Sequence, residues 1–187
     1  MRRKYIGIIV CGPPGVGKST HIQEILDDLE LPSTIFSIVD PDKLELPHAE
    51  ASKRAVELVH EHIKTPKNFV YIGTGAALRS IVNPMLSAMK KHNFKSVVCM
   101  VYTSPDTALR RIRERTEQPL PDDIAGDLYR YFKSKAEEYL KLPNLDELYL
   151  YNNEEQFTLV LQKKKKRITC MSEDAEYFFD ISNYCST

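Results

Sequence analysis

Tyr5-Ile6-Gly7-Ile8-Ile9-Val10-Cys11-Gly12-Pro13-Pro14-Gly15-Val16-Gly17-Lys18-Ser19 changes character once, at Gly12, and that change decides the fold. The first seven residues are an apolar, β-branched run without polar alternation, as expected of a strand covered on both faces. Glycine and proline then stop the strand. Beyond them Ile22, Ile25, Leu26 and Leu29 recur at i, i+3, i+4 and i+7, the spacing of one buried helical face. The amino end therefore reads strand, glycine-rich turn, helix.

The same alternation repeats along the chain. Strands are expected at Ile35-Phe36-Ser37-Ile38-Val39, Phe69-Val70-Tyr71-Ile72, residues 96–102, and Leu148-Tyr149-Leu150-Tyr151. Between them lie helical stripes: Ala55, Val56, Val59 and Ile63; then Leu78, Ile81, Met85, Ala88 and Met89, with Pro84 as a kink. Ser104 caps a further helix with Pro105 at its first position. Pro121-Asp122-Asp123 opens another, with Ile124, Leu128, Tyr131, Phe132 and Tyr139 inward. Such a pattern predicts an α/β fold: a doubly wound, mainly parallel five-stranded sheet with helices on both faces. Beyond Tyr151 two strands flank Lys163-Lys164-Lys165-Lys166. Residues 1–151 are thus read as the core, and 152–187 as a C-terminal β-hairpin extension of the same domain.

Bulk properties narrow the function. The 187 residues suit one domain, and 26 basic residues balance 26 acidic ones. No net field favours a polyanion such as duplex DNA. The longest apolar runs are strand-sized, so no membrane span is expected. The basic Met1-Arg2-Arg3-Lys4 and the run behind it resemble a leader superficially, but the run ends in the glycine turn and reads as the first strand. Cys11, Cys99, Cys170 and Cys185 lack C-x-x-C spacing, which argues against a zinc site or a disulfide framework and for a reducing, cytoplasmic setting.

Gly12 through Ser19 satisfies G-x-x-x-x-G-K-[ST], the pattern of a loop that wraps phosphates with backbone N–H groups. Gly15 and Gly17 allow close backbone approach, and the helix behind adds its positive end. Lys18 reaches the β- and γ-phosphates, and the Ser19 hydroxyl completes a Mg²⁺ shell. The nucleotide contacts are expected from Gly12, Pro13, Pro14, Gly15, Val16, Gly17, Lys18, Ser19 and Thr20. The bland alternative, a Gly-Pro turn, does not account for the lysine and serine that follow.

In a doubly wound sheet the chemistry collects at the carboxyl ends of the strands. Asp40 and Asp42 end the second strand; a carboxylate there either activates an acceptor hydroxyl or holds Mg²⁺, unless Asp-Pro-Asp is only a turn. Gly73-Thr74-Gly75 ends the third strand, and Thr74 with Arg79 forms a candidate substrate contact, against the reading of Thr74 as a helix-entry cap. Arg111 and Arg115 share a helical face ahead of a loop, as in a lid that closes over a transferring phosphoryl group; Arg113 reads as solvated. The lysine run reads as a hairpin tip, since no aromatics interleave with it. His48, His60 and His62 read as surface residues.

On these residues the chain resembles the P-loop kinase superfamily, and within it the zeta-toxin-like group, over roughly its first 150 residues. The resemblance rests on the loop, on Val39-Asp40-Pro41-Asp42, and on the lid helix at 108–115. It implies ATP and Mg²⁺ as cofactors, Asp42 as the base that activates the acceptor hydroxyl, and Arg111 and Arg115 as phosphate contacts. The chain departs from that pattern at Glu45, where a basic residue is usual, and at Ile72-Gly73-Thr74, where Glu-Gly-Thr is usual. The second departure argues against UDP-N-acetylglucosamine as acceptor.

The expected function is ATP-dependent phosphoryl transfer to a hydroxyl or phosphate on a small molecule, a nucleotide or, less favoured, a nucleic-acid end. The alternative is a nucleotide-binding switch, or a catalytically degenerate P-loop module, that binds a protein partner.

Overall fold

The computed structural model describes residues 5–114 and 121–172. β1 (Tyr5–Cys11) is followed by α1 (Ile22–Asp28), β2 (Ser37–Val39), α2 (His48–Lys64) and β3 (Phe69–Gly73). A π-helical turn (Leu78–Val82) leads into α3 (Asn83–Lys91), β4 (Phe94–Tyr102), α4 (Pro105–Arg113) and α5 (Asp122–Leu140). β5 (Glu147–Asn152), β6 (Thr158–Lys164) and β7 (Arg167–Cys170) complete the sheet.

The strand order is β2-β3-β1-β4-β5-β6-β7. The first five strands run parallel, and β6 and β7 add antiparallel beyond β5. β1 shows why. Ile8 and Val10 enter one apolar cluster with Ile22, Ile25 and Leu26 of α1, while Ile9 and Cys11 enter the other with α2, α3 and α5. Alternate side chains feed opposite faces, so each face needs its own helices. Each fully buried leucine or isoleucine contributes about 1.5–3 kcal/mol.

The register brings the carboxyl ends to one edge. Cys11 is level with Gly73 of β3 and Met100 of β4, and Tyr102 is level with Asn152 of β5. Gly12, Asp40, Thr74, Thr103 and Asn153, the residues that follow the five parallel strands, therefore leave from the same side of the sheet.

Several local expectations are corrected. β2 is shorter than expected, because Ser33–Ile35 forms a 3-10 turn; as an edge strand it leaves Ile38 exposed. Pro84 marks the junction between the π-helical turn and α3, where its missing N–H leaves the helical ladder interrupted. On α5 the buried face is Ala125, Tyr129, Phe132, Ala136 and Tyr139, whereas Ile124 and Tyr131 are exposed. Two apolar stripes overlap on that helix, and periodicity does not say which one meets the sheet. His62 is half-buried and hydrogen-bonded through Nε2 to Ser37 Oγ at 3.0 Å, tying α2 to β2. Cys11 and Cys99 are free and buried, but Cys170 is disulfide-bonded, contrary to expectation. Sequence spacing does not report which thiols the fold brings together. No helix among the described residues is long and apolar enough to cross a membrane.

Candidate functional site

The loop between β1 and α1 is held by packing against α4 and the residue that follows β5. Gly15 (φ 79°) and Gly17 (φ 86°) occupy the left-handed region that favours glycine. A Cβ on Gly15 would lie 2.4 Å from the Ala108 carbonyl oxygen, and one on Gly17 would lie 2.5 Å from Asn153 Nδ2. α4 and the end of β5 thus press directly on the loop. Val16 is fully buried, and Lys18 folds across the loop, donating to the carbonyls of Gly12 (2.9 Å) and Pro13 (2.8 Å). Regular helix starts only at Ile22, since Thr20 N–H donates to Gly17 O in a turn. The loop's own turns, rather than a helix end directly behind Lys18, orient its N–H groups.

Asp40 is 4% exposed, and its Oδ2 accepts from Ser19 Oγ at 2.9 Å. Its other oxygen accepts from the Asp42 N–H at 3.1 Å, which closes the turn after β2. The two aspartates therefore differ in kind: Asp40 is buried against the loop, and Asp42 is exposed. The Asp-Pro-Asp turn exists, and it also delivers a carboxylate to the serine.

At the end of β3, Thr74 Oγ1 accepts from Ala76 N–H at 3.3 Å. Arg79 is exposed, and its charge acts on Glu138 of α5. A crevice of about 30 Å³ opens here among Cys11, Tyr71, Gly73, Thr74, Ala77 and Ile81. Burial pushes the Cys11 thiol up to about 12, so it is a packing residue and no nucleophile at neutral pH.

Ser104 Oγ accepts from Thr107 N–H at 3.2 Å and caps α4 as expected. Arg111 is half-buried; its Nη2 donates to the Glu154 carbonyl at 3.4 Å, and its Nη1 is buried without a hydrogen-bond partner among the described residues. Arg113 turns outward to an exposed ion pair with Asp122. Arg115 lies outside the described residues. Between Pro14, α4 and α5 is an apolar cavity of about 170 Å³.

Sequence reasoning missed the segment after β5. Asn153 is 7% exposed, and its Nδ2 donates to Val16 O at 2.9 Å. The Glu154 carboxylate accepts from Ser104 N–H (2.6 Å), Ser104 Oγ (2.8 Å), Thr107 Oγ1 (2.6 Å) and the Thr103 hydroxyl. Partial burial by itself raises that carboxyl, but these bonds to Ser104, Thr103 and Thr107 outweigh it and bring it down to about 2. Phe157 stacks between His21 (4.2 Å) and Tyr151 (4.7 Å). The signal available beforehand was Thr103-Ser104 with Thr107 at a helix entry, three hydroxyls in need of an acceptor.

A glycine-rich loop between the central strand and its helix, on a 2-3-1-4-5 parallel sheet, defines a P-loop protein with a kinase-like fold. The family described as AAA domain matches residues 8–132, two thirds of the chain, and this chain belongs to it. Solved structures with the same fold include one from the PezAT chromosomal toxin–antitoxin system of Streptococcus pneumoniae. It has a TM-score of 0.65 and 14% identity over 86% of this chain and 72% of that one. The native AvrRxo1-ORF1:ORF2 complex gives 0.70 and 13%, over 96% of this chain and 64% of that one, so the chain spans under two thirds of that relative's length. A gluconokinase from Sinorhizobium meliloti 1021 gives 0.53 and 14%, over 79% and 82%. No curated protein matches the sequence.

Proposed function

We propose that this protein is an ATP-dependent phosphotransferase that moves the γ-phosphoryl group of Mg·ATP to a hydroxyl acceptor on a small molecule or nucleotide. One observation carries the reading: the 2.9 Å link from Ser19 to the buried Asp40, which joins the phosphate loop to the carboxyl end of β2. A plain Gly-Pro turn has no use for it.

The residues fit the groups. The left-handed glycines and the buried Nη1 of Arg111, without a partner among the described residues, suit an anion, and the Ser19 and Asp40 oxygens suit Mg²⁺. Magnesium bound there neutralises charge on the β- and γ-phosphates. In this scheme the Lys18 ammonium exchanges its carbonyl partners for phosphate oxygens. Arg111 offers Nη1 to the charge that develops on the phosphoryl group. Asp42, exposed at the turn after β2, accepts the proton of the acceptor hydroxyl. The related AvrRxo1 complex has been solved with ATP, which agrees with a nucleotide on this fold.

The test is γ-labelled ATP against a panel of sugars, nucleotides and 5′-hydroxyl oligonucleotides, with the Lys18→Ala chain as control. Labelled product from the native chain alone supports the reading. Tight nucleotide binding with no acceptor-dependent turnover would favour a nucleotide-switched partner-binding module instead.

A further inference from the structure

Asn153 and Glu154 lie 137 residues beyond the phosphate loop and about 50 beyond the start of α4, yet they touch both. The Asn153 backbone N–H donates to Tyr102 O at 2.8 Å, which continues the β4–β5 pairing by one residue. Its side chain crosses to the Val16 carbonyl at 2.9 Å. In a trans peptide the carbonyl and the following N–H point in opposite directions. Holding the Val16 carbonyl toward Asn153 therefore aims the Gly17 N–H away from Asn153.

Glu154 does the equivalent for α4. Its carboxylate accepts from Thr103, Ser104 and Thr107 at the first turn of the helix, and its own carbonyl accepts from Arg111 two turns on. Tyr129 of α5 donates to the Thr103 carbonyl, so the anchor extends to the second helix of this flank. One dipeptide thus contacts the phosphate loop, the entry of α4 and the half-buried arginine.

We propose that Asn153 and Glu154 are positioning residues for the phosphoryl donor: Asn153 sets the direction of the loop's N–H groups, and Glu154 sets where Arg111 points. The inference rests on the phosphotransferase reading for its ligand, but its test is a binding test and needs no acceptor. A glutamate that only caps α4 would give the same hydrogen bonds, and the experiment separates the two.

Dissociation constants of Mg·ATP and Mg·ADP are measured by calorimetry for the native chain, Asn153→Ser, Glu154→Gln, Arg111→Ala, and the double variant Glu154→Gln with Arg111→Ala. Asn153→Ser weakens both nucleotides about tenfold, because each uses the loop. Glu154→Gln weakens ATP about tenfold and ADP less than about twofold, and this loss disappears when Arg111 is already alanine. Thr107→Val, which removes one of the four bonds to the carboxylate, gives the same selectivity at about threefold and serves if Glu154→Gln does not fold. Equal losses for ATP and ADP in Glu154→Gln, or a loss that persists beside Arg111→Ala, would reduce Glu154 to a helix cap and overturn the proposal. Unchanged affinity in Asn153→Ser would overturn its other half. A native chain that binds neither nucleotide takes down the phosphotransferase reading itself, and this inference with it.

Discussion

The two flanks of the phosphate loop are built differently. On the side of β4, β5 and α4, buried and half-buried polar residues are hydrogen-bonded into the loop's surroundings: Asn153 to Val16, Glu154 to three hydroxyls, Arg111 to a carbonyl. On the side of β2 and β3, the polar residues mostly face water. Asp42 and Arg79 are exposed, Thr74 serves its own turn, and the crevice between is lined largely by apolar side chains. Among the described residues, Asp40 crosses from that side to the loop. The flank of β4, β5 and α4 is thus held by hydrogen bonds in the chain as it stands, while the flank of β2 and β3 presents a small crevice. Phosphate handling depends on preorganised donors, so it leaves a rigid imprint.

That contrast can be broken at its strongest point first. Lys18→Ala should lower phosphoryl transfer about a thousandfold with circular dichroism unchanged, since the ammonium supplies charge stabilisation rather than packing. Asp42→Asn should lower kcat about a hundredfold with ATP affinity retained, as expected of a base on the acceptor side. If Asp40→Asn shows that pattern instead, the two aspartates exchange roles. Gly15→Ala should cost about 2 kcal/mol or more in chemical denaturation, because a left-handed residue acquires a Cβ facing the Ala108 carbonyl.

Two smaller effects sharpen the comparison. The Glu154 carboxyl is depressed to about 2 from an ordinary 4.5, so its contribution to stability is fully present above pH 4.5 and is lost as pH falls toward 2. Glu154→Gln should flatten that acid limb when the melting temperature is followed against pH. Arg79→Ala, on the exposed acceptor side, should change the acceptor KM by less than about twofold.

Much of this was legible in the chain before folding. The strand-loop-helix at the amino end, the Ser104 cap and the alternation that gives a parallel sheet are all local: they depend on residue type and spacing within a few positions. The buried face of α5 was legible only in part. Phe132 and Tyr139 fall on it, but Ile124 and Tyr131 form a second apolar stripe that faces solvent. The Asn-Glu pair after β5 was not legible at all, because its partners lie far along the chain, at Val16 and at residues 103–107.

The sequence by itself determined that a glycine-rich P-loop follows a buried strand, since glycine spacing and a terminal Lys-Ser are local features that refer to nothing distant. Tertiary structure alone decided that Asp40 rather than Asp42 meets Ser19, that Asn153 holds Val16, and that Arg111 reaches the Glu154 carbonyl. Those contacts exist because strand order sets which carboxyl ends become neighbours, and strand order is fixed by how the two faces of the sheet are covered.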